Sequence, residues 1–121
     1  MSIRSYKGVS PALGANVYVD ESAVLAGDIV LGDDVSIWPL VAARGDVNFI
    51  RIGARTNIQD GSIVHCDSPM PGAPDGYPTI IGDDVLIGGA GTNTLTGGLG
   101  DDVYISESAA DTIAEAAGAG D

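Results

Sequence analysis

A single cysteine, Cys66, leaves no partner for an intramolecular disulfide and no thiolate pair for a metal knuckle. Large aromatics are almost missing: there is one Phe and one Trp, while Val, Ile, Leu and Ala supply most of the apolar content. That bias suits an interior that admits only slim side chains, and it also suits a small generic β protein. No apolar run approaches the ~18 residues of a membrane-spanning helix. The opening Met1-Ser-Ile-Arg-Ser-Tyr-Lys-Gly8 has charge but no apolar run behind it, so no secretory signal is expected and a cytoplasmic location is. Basic residues are the scarcest class: Arg4, Lys7, Arg44, Arg51 and Arg55 are the whole set, in a chain of formal net charge -12. None lies beyond residue 55, and residues 79–121 carry eight acids without a base. Such an acidic block repels nucleic acid and anionic membranes; it either stays solvated or recruits cations.

What the chain does have is a six-residue rhythm. Apolar residues recur at Val19, Leu25, Leu31, Ile37 and Ala43, and again at Ile52, Ile58 and Val64. Four places after each rung of the first run stands a small or β-branched residue: Ala23, Ile29, Val35, Val41, Val47. A period of six belongs to neither a lone helix nor an ordinary strand. It predicts short strands joined by sharp corners, three rungs to a triangular coil of eighteen residues. The nine-residue step from Ala43 to Ile52 predicts a bulge of about three residues at 48–50. Eighteen glycines fit many turns. One coil cannot bury its own apolar face, so about three must stack. Residues 66–79 hold four prolines and are expected to leave the coil as a loop, with rungs returning at Ile81 and Ile87.

From Gly82 the period changes to nine. Gly88-Gly-Ala-Gly-Thr-Asn-Thr-Leu-Thr96 and Gly97-Gly-Leu-Gly-Asp-Asp-Val-Tyr-Ile105 are tandem copies of the G-G-x-G-x-D-x-U-x calcium-binding nonapeptide, with Asn93 in place of Asp in the first. Gly82-Asp-Asp-Val-Leu-Ile87 matches the last six positions of a third copy. Residues 108–111 read either as the capping box of a short Ala-rich helix or as part of a further irregular strand pair.

Ile37-Trp-Pro-Leu-Val, Arg44-Gly-Asp46, Ile52-Gly-Ala-Arg-Thr-Asn-Ile-Gln-Asp-Gly61, His65 and Ile81-Gly-Asp-Asp-Val-Leu-Ile-Gly88 together resemble the γ-class carbonic anhydrase-like branch of the hexapeptide-repeat proteins. The resemblance covers residues 5–88. It implies a left-handed parallel β-helix, a homotrimer, and a zinc site at each subunit interface. Under it His65 falls on the first zinc-binding histidine. Arg44, Asp46 and Asp60 fall on the interface arginine and carboxylates, and Asn57 and Gln59 on active-site polar residues, Gln59 orienting the metal-bound hydroxide. The family's second and third histidines fall on Gly89 and Thr94, which cannot ligate zinc, and the chain has no other histidine. A catalytic zinc needs about three protein ligands to hold it and to lower the pKa of its water to about 7. Residues 82–121 resemble the RTX calcium-binding repeats of secreted bacterial proteins, which leaves type I secretion open as a route.

The expected architecture is an all-β parallel solenoid: a truncated γ-carbonic-anhydrase-like β-helix over 1–88, overlapped by an RTX-like segment and acidic tail over 82–121. That tail forms either a short β-roll or a disordered end. In an RTX roll, turns eighteen residues apart share an edge. Asp84 and Asp102, with carbonyls of Gly98 and Gly100, would then build one calcium site, and Asn93 half of another. Because the β-helix is left-handed and RTX rolls are right-handed, either two short stacks form or residues 82–105 are drawn into the left-handed coil, which would spoil the calcium geometry; residues 79–88 are expected to join the first coil and those beyond to stack separately. The functional expectation is a non-catalytic solenoid with weak Ca2+ binding and neither nucleic-acid nor membrane partners. The alternatives are a zinc-dependent carbonic anhydrase with an atypical site and, third, a hexapeptide acyltransferase with His65 as its base.

Overall fold

A computed structural model describes residues 2–89 in full; beyond them it describes the strands Thr94–Thr96, Val103–Ser106 and Thr112–Ala114 by their backbone. Every strand is short except where it turns a corner, as the six-residue rhythm requires. In order they are β1 (Ser2–Arg4), β2 (Ala12–Leu13), β3 (Tyr18–Val19), β4 (Val24–Leu31), β5 (Ser36–Ile37), β6 (Ala42–Ile52), β7 (Asn57–Ile58), β8 (Ile63–Val64), β9 (Thr79–Ile81), β10 (Val85–Gly88), β11 (Thr94–Thr96), β12 (Val103–Ser106) and β13 (Thr112–Ala114). All strand pairs are parallel, and no helix occurs among the described residues. This is the parallel β-solenoid expected from the periodicity.

The rungs stack in columns. Val19, Ile37, Ile58 and Ile87 face one another through β3, β5, β7 and β10. Leu25, Ala43 and Val64 form a second column, and Leu31, Ile52 and Ile81 a third. Within these columns every residue but Ile81, which packs against the core from its edge, is buried. Burying a Val, Leu or Ile side chain contributes about 1.5–3 kcal/mol, so the columns are the main favourable term. Side chains alternate in and out along β4 and, on either side of residues 46–49, along β6; both strands bend across two faces of the coil. At the bend in β4, Gly27 has a φ of +87, and a Cβ there would lie 2.3 Å from the Gly45 carbonyl oxygen of the next coil. Only glycine fits such an approach.

The bulge lies earlier than the sequence suggested. Gly27 pairs with Gly45 and Ile29 with Ile50, so four residues, Asp46 to Phe49, oppose the single Asp28. Val47 is therefore 44% exposed, although it continues the spacing of Ala23, Ile29, Val35 and Val41, all buried; Ile50, at 0%, takes its place in the core. The proline-rich excursion does leave the coil as a loop. Asp67 and Tyr77 exchange two backbone hydrogen bonds, as do Met70 and Ala73, and the Asn48 side-chain amide ties its base by donating to the carbonyls of Asp67 and Asp75.

The solenoid's sheet runs on into the nonapeptide segment. β12 adds to β10 in register, Val85 to Val103 and Ile87 to Ile105, with the same eighteen-residue offset that relates Val19 to Ile37. The separate stack expected beyond residue 88 is thus not what β12 forms; it is the fifth strand of the β3–β5–β7–β10 sheet. Equal coil length explains why: both repeat types return the chain to the same face after eighteen residues. β11 and β13 pair with each other as a two-stranded sheet, so a strand forms at 112–114, where the sequence also allowed a helix.

Candidate functional site

The bulge of β6 and the end of β8 bring three charged or titratable side chains together. Arg44 and Asp46 stand two apart on β6 and so point the same way. Ala43 pairs with Val64, which sets His65 beside this stretch. Asp46 Oδ2 accepts from Arg44 Nη1 at 2.6 Å, and its Oδ1 lies 3.2 Å from His65 Nε2 and accepts from the Val47 amide at 2.8 Å. Partial burial pushes the Asp46 carboxyl up, but the amides of Val47 and Asp46, the His65 ring and the Arg44 charge outweigh it and leave the group below its usual range. The His65 carbonyl accepts a short hydrogen bond from the Thr79 hydroxyl, which fixes the backbone under the ring. A cleft of about 240 Å³ opens beside Asp46, lined by Tyr6, Lys7, Val9, Val47 and Phe49 among others. His65 lies on the rim of a second, of about 230 Å³, against Tyr77 and Thr79.

A depressed carboxyl stabilises the fold above its unfolded pKa, and that contribution disappears as pH falls through the folded value. Unfolding free energy is therefore expected to drop below about pH 4. Asp46→Asn should cost about 1–3 kcal/mol at neutral pH and flatten the acid limb. Urea titrations of both proteins between pH 3 and 7 check this. Parallel acid limbs would mean that Asp46 does not hold the cluster.

The other predicted residues lie elsewhere. Asn57 is on β7, between Ser36 and Leu86 of the neighbouring coils, and its Oδ1 is buried without a hydrogen-bond partner. Gln59 follows β7, where its backbone N–H donates to the Ile87 carbonyl, and Asp60 is exposed at the next corner. Among the described residues no hydrogen bond joins Asn57, Gln59 or Asp60 to His65. Within one chain the structure thus gathers Arg44, Asp46 and His65 and leaves the rest of the predicted set apart.

The residues do not fit a zinc ion within one chain. No group of three or more His, Cys, Asp or Glu able to hold a metal occurs among the described residues. Cys66 is buried, its Sγ is directed at the Arg44 carbonyl, and burial pushes its thiol pKa up, away from the thiolate that zinc needs. Gly89, where the resemblance places the second histidine, is closed to any side chain: a Cβ would lie 1.8 Å from the Asp60 carbonyl oxygen.

Of the calcium residues, Asp84 is described and is already engaged. Its Oδ1 accepts from Arg55 Nε at 2.7 Å and its Oδ2 from Arg55 Nη2 at 3.1 Å. The Arg55 hydrogen bond holds the Asp84 carboxyl below its usual range. Asn93, Gly98, Gly100 and Asp102 lie outside the described residues. Sequence reasoning missed both the Arg55–Asp84 pair and the Asp46–His65 contact. The recurring Gly-Asp-Asp-Val at 32–35, 82–85 and 100–103, with Gly-Ala-Arg-Thr at 53–56 in the same phase, was the available signal for the first.

Residues 80–113 match the RTX calcium-binding nonapeptide repeat family model. Protein YrdA of Escherichia coli is 51% identical over 86 residues, which is 71% of this chain and 47% of that protein. Gamma carbonic anhydrase 1, mitochondrial, of Arabidopsis thaliana is 44% identical over 80 residues, 65% of this chain and 28% of that protein. The chain is thus similar to γ-class carbonic anhydrases and to the RTX repeat model in different stretches of its sequence. It spans less than half the length of these two relatives. In fold, the hexapeptide transferase family protein from Anaplasma phagocytophilum superposes with a TM-score of 0.64 at 26% identity, over 94% of this chain and 75% of that one. No helix among the described residues is long and apolar enough to cross a membrane.

Proposed function

We propose that the chain is a non-catalytic hexapeptide-repeat solenoid that assembles as a homotrimer and takes up calcium weakly through its RTX segment. Its units are a γ-carbonic-anhydrase-like solenoid over 1–88 and an RTX segment over 82–121, overlapping in β10. The observation that carries the non-catalytic reading is Gly89, which supplies no imidazole where the resemblance calls for one, so that the His65 ring is left with the Asp46 carboxylate as its partner. Trimer formation is supported by the relatives and by outward apolar side chains such as Ile63, 75% exposed, and Leu40, 70% exposed. Calcium uptake is supported by the repeat match over 80–113 and by the eight acids of residues 79–121, a stretch without a basic residue of its own.

The Arg44–Asp46–His65 cluster favours one second reading, a zinc-dependent CO2 hydratase with an atypical site. It requires the remaining ligands to come from other copies of the chain, since one imidazole per chain does not hold a catalytic zinc. Metal analysis separates the two. After loading with both ions and dialysis, the first reading expects calcium retained above the buffer level and zinc at background. Stoichiometric zinc would favour the second.

A further inference from the structure

Asn16, Asp34, Arg55 and Asp84 each precede a rung of the Val19–Ile37–Ile58–Ile87 column by three residues, and so stack at one corner of the solenoid. All four have a φ between +56 and +60. The amides of Asp34, Arg55 and Asp84 each donate to a carbonyl of the preceding corner, those of Ala15, Asp33 and Ala54. In the two described copies of Gly-Asp-Asp-Val, at 32–35 and 82–85, the first aspartate is spent on backbone: Asp33 Oδ1 accepts from the Ala15 amide and Asp83 Oδ1 from the Ala54 amide, both at 2.8 Å. The second aspartate therefore presents the charge. Within this acidic column stands one cation, Arg55, and it takes both oxygens of Asp84.

We infer that Arg55 acts as an internal counter-ion that occupies the Asp84 carboxylate, so that calcium enters this corner only by displacing it. The inference rests on the calcium reading above. A calcium ion gathers six to eight oxygens, carboxylates foremost. A carboxylate held by a two-pronged guanidinium offers those oxygens poorly and adds a repelling positive charge. Both side chains are about half exposed, at 56% and 47%, so the pair is weak enough to yield to a divalent ion. Arg55 would then keep the corner neutralised while calcium is scarce.

The test is calorimetric titration of the full chain with calcium chloride. Arg55→Asn suits the positive φ, since Asn16 stands in the same column; Arg55→Gln serves if that variant fails to fold. Arg51→Ala is the charge-matched control, because Arg51 pairs with Asp28 on another face. Removing Arg55 is expected to tighten calcium binding by about 3–10-fold, and Arg51→Ala to change it by less than about twofold. Adding Asp84→Asn to the Arg55 variant should abolish the gain. Equal binding by the Arg55 and Arg51 variants overturns the inference while the calcium reading stands. No calcium heat in any variant removes both.

Discussion

Gly89→His combined with Thr94→His is expected to leave the protein without zinc and less stable than before. The two substitutions restore in sequence the residues the resemblance calls for, yet the fold at position 89 was built around their absence. A Cβ at Gly89 lies 1.8 Å from the Asp60 oxygen and 2.6 Å from the Asp60 carbonyl carbon, both backbone atoms that no rotamer change removes. Either the Asp60 corner or the end of β10 must shift. Overpacking of this kind costs about 1–3 kcal/mol, which corresponds to a fall in Tm of roughly 4–18 °C for a domain of this size. Scanning calorimetry with zinc analysis of the dialysed double variant checks it. Unchanged Tm with one zinc per chain would show that the site is merely unfilled rather than closed.

Ile58→Ala should produce the other large loss, about 3–4 kcal/mol. Ile58 is fully buried and sits between Ile37 and Ile87 in the column that crosses from the hexapeptide coils to β10. Its neighbours are held by ladder hydrogen bonds on both sides, so the cavity collapses little. Just above it the buried Thr56 hydroxyl donates to the Gly82 carbonyl at 2.7 Å and accepts from the Val85 amide at 3.2 Å, fixing the two coils at their spacing. Because β12 adds to β10, the loss should also reach the nonapeptide segment. Hydrogen exchange of the Val103–Ser106 amides is expected to quicken together with that of β7. Exchange that quickens in β7 alone would mean that β12 is not held by this sheet.

The rungs were legible because a slim solenoid interior demands an apolar residue at every sixth place, and Val19 through Ala43 obey without exception. What the spacing could not give was phase across an insertion. Val47 satisfies the pattern that Ile50 actually fulfils, because three extra residues enter between Asp46 and Phe49 and no apolar signal marks the shift. The same difficulty hid the Arg55–Asp84 pair. From Ile58 to Ile87 is 29 residues, whereas Ile87 to Ile105 is eighteen, and only the fold shows that the proline-rich loop leaves the two corners stacked. The grouping of Arg44, Asp46 and His65 came from resemblance; their contacts came from the bulge that turns Asp46 toward the ring. The expected change of stack beyond residue 88 rested on the hands of two families, while the strand register follows their shared coil length.

The account stands on His65 having no partner imidazole. Stopped-flow CO2 hydration by the protein after zinc loading measures that most directly. The rate should equal that of a matched zinc solution and stay the same after His65→Ala. Turnover well above that background, lost on His65→Ala, would contradict it.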